Sequence, residues 1–536
     1  MGQGRNTTIV LLTLFILLSG LSFYHVDKSI LVVKYLFQYN IQYLPQNYFR
    51  YHHSLTDFIS QTCIFHSGNS EAGWKTILFL WPLFLFCDAL GGLTLTHICL
   101  FTVTTTLLTL ILFYAWVRKY WGQQPAFWGT FFFGFSAIFQ ELARSGSYDA
   151  YSILIAMLWT ILFYHCAGKA GVFAYAILGF FTGLSWYGYA MIRTLVVAVF
   201  VEIYYFARRR WLSGAFFIMG MLLWIVPGVV ILMNLLQQYG FHGHLDVLFI
   251  DKENVVSVVQ GDVLSLLGMI LHNVMIFIQR MLGFNDYLDW PCGNQLHAHF
   301  LNHLLVIPML VGLLHVFRSR QQLPGRLLLW LGAMIYVTPL CTSDWANAEG
   351  RRFLFYVLPT YCFIGIGMGQ IITWRKFRPL MILGICFVLI SEALFTHQYI
   401  INGRRELGLA DFADKLNERH EQATIIYLEK RQDSLYFFSN EGYLFNLLLQ
   451  KNGQHFYTIK EALLDLPLKE EQGKCYLAIS PMISNKEFLR WCQSNKLKLP
   501  QPVLQSAVKN PLLTYYRRTL VIQEPFKLYD ISSRPN

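Results

Sequence analysis

Charge is scarce in this chain. Lys, Arg, Asp and Glu make up 14% of its 536 residues, against roughly 25% in a soluble domain. That share excludes a surface solvated all round, and it excludes disorder, which needs high charge and low hydrophobicity. The ten cysteines contain no CxxC pair, and Cys99, Cys166, Cys362 and Cys386 sit inside apolar runs. Zinc-ribbon and thioredoxin-type chemistry is thereby removed. There is no internal repeat of 20–50 residues and no pair of halves with matched broken helices, a feature that transporters built on inverted repeats often show. The first apolar run, 8–24, lacks a small-residue cleavage site and is followed by His25-Val26-Asp27-Lys28. It reads as an uncleaved first membrane helix.

What is present is apolar. Hydrophobic residues make up 55% and aromatic ones 16%, with a mean hydropathy of +0.41. The composition is that of a polytopic α-helical membrane protein. Apolar segments long enough to cross a bilayer fall near 8–24, 94–116, 125–141, 148–166, 171–187, 190–207, 212–236, 302–316, 326–341, 353–372 and 377–397. Short basic connectors occupy every second gap: Arg118-Lys119, Arg208 to Arg210, Arg318 to Arg326 and Arg375 to Arg378. This is the positive-inside pattern of cytoplasmic loops. It accounts for much of the net charge of +11, so nucleic-acid binding is not implied. The segment 76–90 is equally apolar, but counting it as a crossing breaks the charge parity. It is expected to lie at the outer interface or to dip in and return. Eleven crossings follow, with the N-terminus cytoplasmic and the C-terminus outside.

The expected domains are a transmembrane unit, 1–397, and an extracytoplasmic α/β domain, 398–536. The first outer loop is 25–93 with its interfacial helices, and a second long one is 237–301 with an apolar piece at 264–282. In the C-terminal part, Ala423 to Leu428 and Cys475 to Ile479 read as strands and Lys460 to Leu466 as helix. Cys475 and Cys492 could pair if that domain is extracytoplasmic.

On the outer face stand the residues that can do chemistry. Asp27-Lys28 follows the first span directly, and a carboxylate there can act as general base toward an acceptor hydroxyl. It can equally be a solvated pair that ends a helix. Arg144 and Asp149 flank a turn of a few residues between two spans. Ionisable groups at membrane depth are costly and need a reason; a helix-tying ion pair is one, substrate binding another. Tyr187-Gly188-Tyr189…Arg193 forms the next outward turn, and Asp344…Glu349-Gly350-Arg351-Arg352 the last. Arginines on the outer side run against the positive-inside tendency. Phosphate binding explains them, since guanidinium matches phosphate oxygens with parallel hydrogen bonds; snorkelling or neutralisation by Asp344 and Glu349 is the plainer alternative. The loop 237–301 is rich in His and Asp, but its spacings match no metal site.

In order along 8–397, these features resemble the GT-C fold membrane glycosyltransferases, and most of all the protein O-mannosyltransferase and aminoarabinose transferase group. That group has an acidic pair after the first helix, here Asp27-Lys28, then interfacial helices, here 76–90. An Arg…Asp turn follows, here Arg144 to Asp149. Next comes an aromatic turn with Arg, here Tyr187, Tyr189 and Arg193, and then an Arg-aromatic…Pro opening of a late span, here Arg352-Phe353…Pro359. The resemblance implies a polyprenyl-phosphate sugar donor and a glycan, lipid or protein acceptor. Asp27 is then the catalytic base. Lys28, Arg144, Asp149, Tyr187, Tyr189, Arg193, Arg351 and Arg352 are the residues that bind substrate and donor phosphate. The second acidic residue of the family's pair is Lys28 here. A divalent metal held by that pair is therefore not indicated, unless Asp57 supplies the missing carboxylate. Asp27 and Asp57 both stay candidates for the catalytic carboxylate. A flippase of a polar lipid, a polysaccharide ligase or polymerase, and a non-catalytic envelope scaffold are the other classes. Few glycosylation sequons in the outer loops and no ER retrieval signal favour a plasma, bacterial inner, membrane.

Overall fold

The computed structural model describes residues 2–24, 77–92, 95–144, 148–169, 171–185, 211–223, 301–340, 356–374 and 378–397, short pieces between 267 and 275, at 376 and within 488–502, and strands between 423 and 530. The apolar runs fold as helices. In chain order these are α1 (Gly2–Phe23), α2 (Ile77–Ala89), α3 (Leu95–Trp121), α4 (Gln123–Phe135), α5 (Ala137–Arg144), α6 (Tyr148–Lys169) and α7 (Val172–Ser185). Next are α8 (Trp211–Leu223), then α9 (Val306–Arg318), α10 (Leu323–Leu340), α11 (Val357–Ile371) and α12 (Arg378–Phe395). Of these, α3, α6 and α12 each hold a stretch long and apolar enough to cross a membrane by length and composition. The expected span 190–207 and the larger part of the loop 237–301 lie outside the described residues.

One expected span is corrected. The run 125–141 is not a single helix: it breaks at Ser136, whose φ of −65° and ψ of 145° are extended. A glycine–serine pair, Gly134 and Ser136, marks the break, a common cause of sharp helix kinks. In an apolar setting every freed backbone group needs a partner, and here they find them. Ser136 Oγ donates to the Phe133 carbonyl at 2.6 Å and accepts from the Phe139 amide at 3.3 Å. Gln140 Nε2 donates to the Gly134 carbonyl at 2.8 Å. Gly134 also leaves room for α1, since a Cβ there would overlap Leu18.

The centre of the bundle is α11. Every residue from Val357 to Gly369 is buried. It packs most extensively on α9 and α4, and it does so through glycine. A side chain on Gly367 would collide with the Pro308 carbonyl of α9, and one on Gly365 with the Pro125 carbonyl of α4. Partner glycines Gly312 and Gly129 stand opposite. Membrane helices gain little from the hydrophobic effect, so small residues that let backbones approach supply the packing. Around this centre α3 contacts α4, α5 and α6. The turn from α3 to α4 is Gly122 alone, at φ +93°, where a side chain would be strained. At the edge, α12 exposes Leu380, Leu383, Phe387, Ile390 and Leu394 along one stripe. A stripe of that extent suits contact with lipid.

The C-terminal strands are β1 (Ala423–Glu429), β2 (His455–Lys460), β3 (Lys474–Ile479), β4 (Leu504–Gln505), β5 (Leu512–Tyr515), β6 (Arg518–Val521) and β7 (Lys527–Asp530). Five of them form a mixed sheet in the order β2-β1-β3-β7-β4. β1 lies parallel to β2 and β3, and β7 runs antiparallel to β3 and β4. The expected strands at 423–428 and 475–479 are present as β1 and β3. Lys460, expected to start a helix, instead ends β2, paired with Glu429; the rest of that expected helix, and Cys492, lie outside the described residues.

Candidate functional site

A set of buried polar contacts meets at α5, a helix of only eight residues. Its two ends are held differently. At its start, the Ala137 amide donates to Glu392 Oε2 of α12 at 2.7 Å. This is one of the amides that a helix N-terminus leaves without an internal partner. Glu392 is itself buried, and its Oε1 accepts from Asn302 Nδ2 at 3.2 Å. Asn302 Nδ2 also donates to Ser391 Oγ at 2.7 Å, and Asn302 Oδ1 accepts from the Leu304 amide at 3.3 Å. A carboxylate and a helix N-terminus attract each other through the helix dipole as well as the hydrogen bond. Glu392 thus joins three elements: α12, the approach to α9 and the start of α5.

The far end of α5 carries Arg144, whose side chain is fully buried. Its Nη2 donates to the Leu21 carbonyl and, at 3.3 Å, to the Tyr24 carbonyl. Both lie at the end of α1, where the Leu21 carbonyl also accepts from the Tyr24 amide at 3.3 Å. The guanidinium therefore sits at the negative ends of two helices at once, α1 and α5. The carbonyls closing α5 are satisfied from α3. Thr102 Oγ1 donates to the Ala143 carbonyl at 2.9 Å, and the Cys99 thiol to the Arg144 carbonyl at 3.6 Å. Ser22 Oγ reaches Gln140 Oε1 at 3.4 Å, a second tie between α1 and α5.

Beside this polar line lies an apolar groove of about 580 Å³ between α9, α11 and α12. Leu304, Pro308, Met368, Trp374, Gly384 and Phe387 are among the residues that line it. A space of this size and composition fits an alkyl or isoprenoid chain.

No family model matches the sequence, and no curated protein does. Solved structures do. ArnT from Cupriavidus metallidurans, bound to undecaprenyl phosphate, superposes with a TM-score of 0.53 at 12% identity, over 98% of this chain and 99% of that one. The archaeal oligosaccharyltransferase AglB from Archaeoglobus fulgidus, in complex with an inhibitory peptide and a dolichol-phosphate, gives a TM-score of 0.42 at 9% identity. That likeness covers 91% of this chain and 68% of AglB. The chain has the GT-C fold.

The expected site residues fall in two groups. Arg144 is described, and its Nη2 donates to two carbonyls at the end of α1. Asp149 lies in the first turn of α6, immediately after Tyr148. Asp27, Lys28, Asp57, Tyr187, Tyr189, Arg193, Arg351 and Arg352 lie outside the described residues. The residues just before Asp27 are described. α1 ends at Phe23, Arg144 holds it there, and Asp27 follows in sequence. Among the described residues no group of three or more His, Cys, Asp or Glu comes together as a metal site would require. Sequence reading passed over Glu392. Its signal was available: an acidic side chain inside an apolar span is a functional candidate by default.

Proposed function

We propose that the chain is an integral-membrane glycosyltransferase that moves a sugar from a polyprenyl-phosphate carrier to an acceptor hydroxyl or phosphate on the outer face of the membrane. The observation that carries this reading is the fold likeness over the whole chain to ArnT, a structure holding undecaprenyl phosphate. The groove beside α12 supports it, as a place for an isoprenoid tail. The anchoring of Arg144 on the end of α1 supports it too, since that contact fixes the root of the segment bearing Asp27.

In this reading Asp27 takes the proton from the acceptor hydroxyl as the new bond forms. The sugar carbon passes through an oxocarbenium-like state, and a single displacement inverts its configuration. Negative charge develops on the departing carrier phosphate. Arg193, Arg351 and Arg352, with Lys28, are the cations assigned to meet it. One such preorganised donor contributes about 2.7–4 kcal/mol when its removal is measured. Tyr187 and Tyr189 line the donor side, and Asp149 orients Arg144 or the acceptor. Arg144 acts at one remove, by holding α1. The domain beyond 397 lies outside the membrane and selects the acceptor.

The test is transfer of radiolabelled sugar from polyprenyl phosphates to a membrane lipid extract by the purified full chain, with Asp27→Asn and Arg352→Ala alongside. Label in a new product with the native protein, lost in both variants, supports the reading. Undiminished transfer by a folded variant removes that residue's role. Movement of intact donor across the bilayer, with no new glycosidic bond, overturns the reading in favour of a flippase.

A further inference from the structure

The mechanism above makes no use of Glu392, yet it is a buried carboxylate at the junction of three helices. It sits near the end of α12 opposite the basic residues Lys376 and Arg378. One oxygen holds the first amide of α5 and the other holds Asn302. Seven residues on, α5 ends in Arg144, which grips the Leu21 and Tyr24 carbonyls. α5 is too short to keep its own place, because isolated helices of this length are marginal. Its position is set by what binds its two ends.

We propose that Glu392 is a positioning residue for the transfer site. By pinning the start of α5 to α12 and to Asn302, it fixes where Arg144 meets the end of α1, the element that precedes Asp27 in sequence. The inference rests on the proposed glycosyltransferase reading for its catalytic consequence, and on the hydrogen bonds alone for its mechanical one.

The experiment separates the two. The full chain is prepared in lipid nanodiscs as native protein, Glu392→Ala, Glu392→Gln and the double swap Glu392→Gln with Asn302→Asp. In the swap, the introduced glutamine keeps an oxygen to accept from the Ala137 amide, and its amide nitrogen can donate to the introduced aspartate. Hydrogen–deuterium exchange is read over residues 18–24 at the end of α1, and over α11 as an internal control. Glu392→Ala is expected to speed exchange at the end of α1 about tenfold while α11 stays protected. The double swap is expected to restore most of that protection. In the sugar-transfer assay the same alanine variant is expected to lose about 10–100-fold in kcat with the donor KM within about twofold. That is the scale on which a misplacement of about 1 Å acts.

Unchanged exchange at residues 18–24 in folded Glu392→Ala overturns the proposal, whatever the activity. So does faster exchange spread equally over α11, which is what a general packing role produces. Full kcat in a variant whose α1 end has loosened overturns the catalytic half. A native protein that transfers no sugar overturns the glycosyltransferase reading and the catalytic half with it. The exchange measurement still decides whether Glu392 sets the end of α1.

Discussion

Arg144→Met isolates the clamp on α1. Methionine keeps an unbranched stem of similar length and removes the guanidinium, so the change leaves no uncompensated buried cation. It does leave the Leu21 and Tyr24 carbonyls without the Nη2 donor. A hydrogen bond from a charged donor contributes about 1.5–3 kcal/mol net, and two of them sum to about 3–6 kcal/mol. At about 2 °C per kcal/mol, the low end for a large domain, the variant melts about 6–12 °C below the native protein. Arg144→Lys keeps the charge but replaces a planar fork by a single point donor, so about half of that loss remains. The melt is read by intrinsic fluorescence in detergent micelles, with monodispersity after heating as a second readout. If Arg144→Met melts within about 1 °C of the native protein, the guanidinium does not hold the two helix ends, and the account of the site built on it is wrong.

Gly367→Ala is expected to cost about 1–3 kcal/mol, because its Cβ would meet the Pro308 carbonyl. Gly384→Ala, with nothing within 4 Å of its Cβ, should be neutral or gain about 0.5–1 kcal/mol as a helical glycine replaced by alanine; thermal melts of the two variants check the contrast. Gly384→Trp fills the groove beside α12 and should raise the donor KM several-fold with kcat little changed, which steady-state kinetics would show. Cys87, on the helix read as interfacial, has its thiol pushed up to about 12, first by burial and then by Asp88. Its thiolate, the reactive form, is about a thousandfold scarcer at neutral pH than for a thiol ionising near 9.0. Alkylation by a soluble maleimide at pH 7.5 should therefore be slower than at a free thiol by about that factor, and a rate near that of free cysteine would contradict the burial.

Apolar run length located the helices well, because a bilayer demands length and composition before anything else. It was blind to the break at Ser136, since Phe133, Phe135 and Ile138 keep the hydropathy high across it. Gly134 with Ser136, and Gln140 in an apolar run, were the available signs. Arg144 was legible as a residue that needs a reason. Its partners at the end of α1 were not, because the Leu21 and Tyr24 carbonyls have no side-chain signature. Glu392 was legible by the same rule of costly membrane charge. Its partner, the Ala137 amide, exists only because the helix breaks there. In the C-terminal part, β1 and β3 show as apolar runs. The end of β2 at Lys460 was misread, since its parallel pairing with β1 is a long-range contact that local composition does not encode.

The break at Ser136 also sets an order of events in biogenesis. The Ala137 amide is synthesised 255 residues before the carboxylate that receives it. When α4 and α5 leave the ribosome, the start of α5 has no such acceptor and is costly to surrender to lipid. Until α12 arrives, the α4–α5 pair therefore has to stay near water or borrow a partner from the insertion machinery. The clamp on α1 is then among the last parts of the bundle to be completed. A nascent chain stopped short of α12 should carry Arg144 and still lack the acceptor for the Ala137 amide.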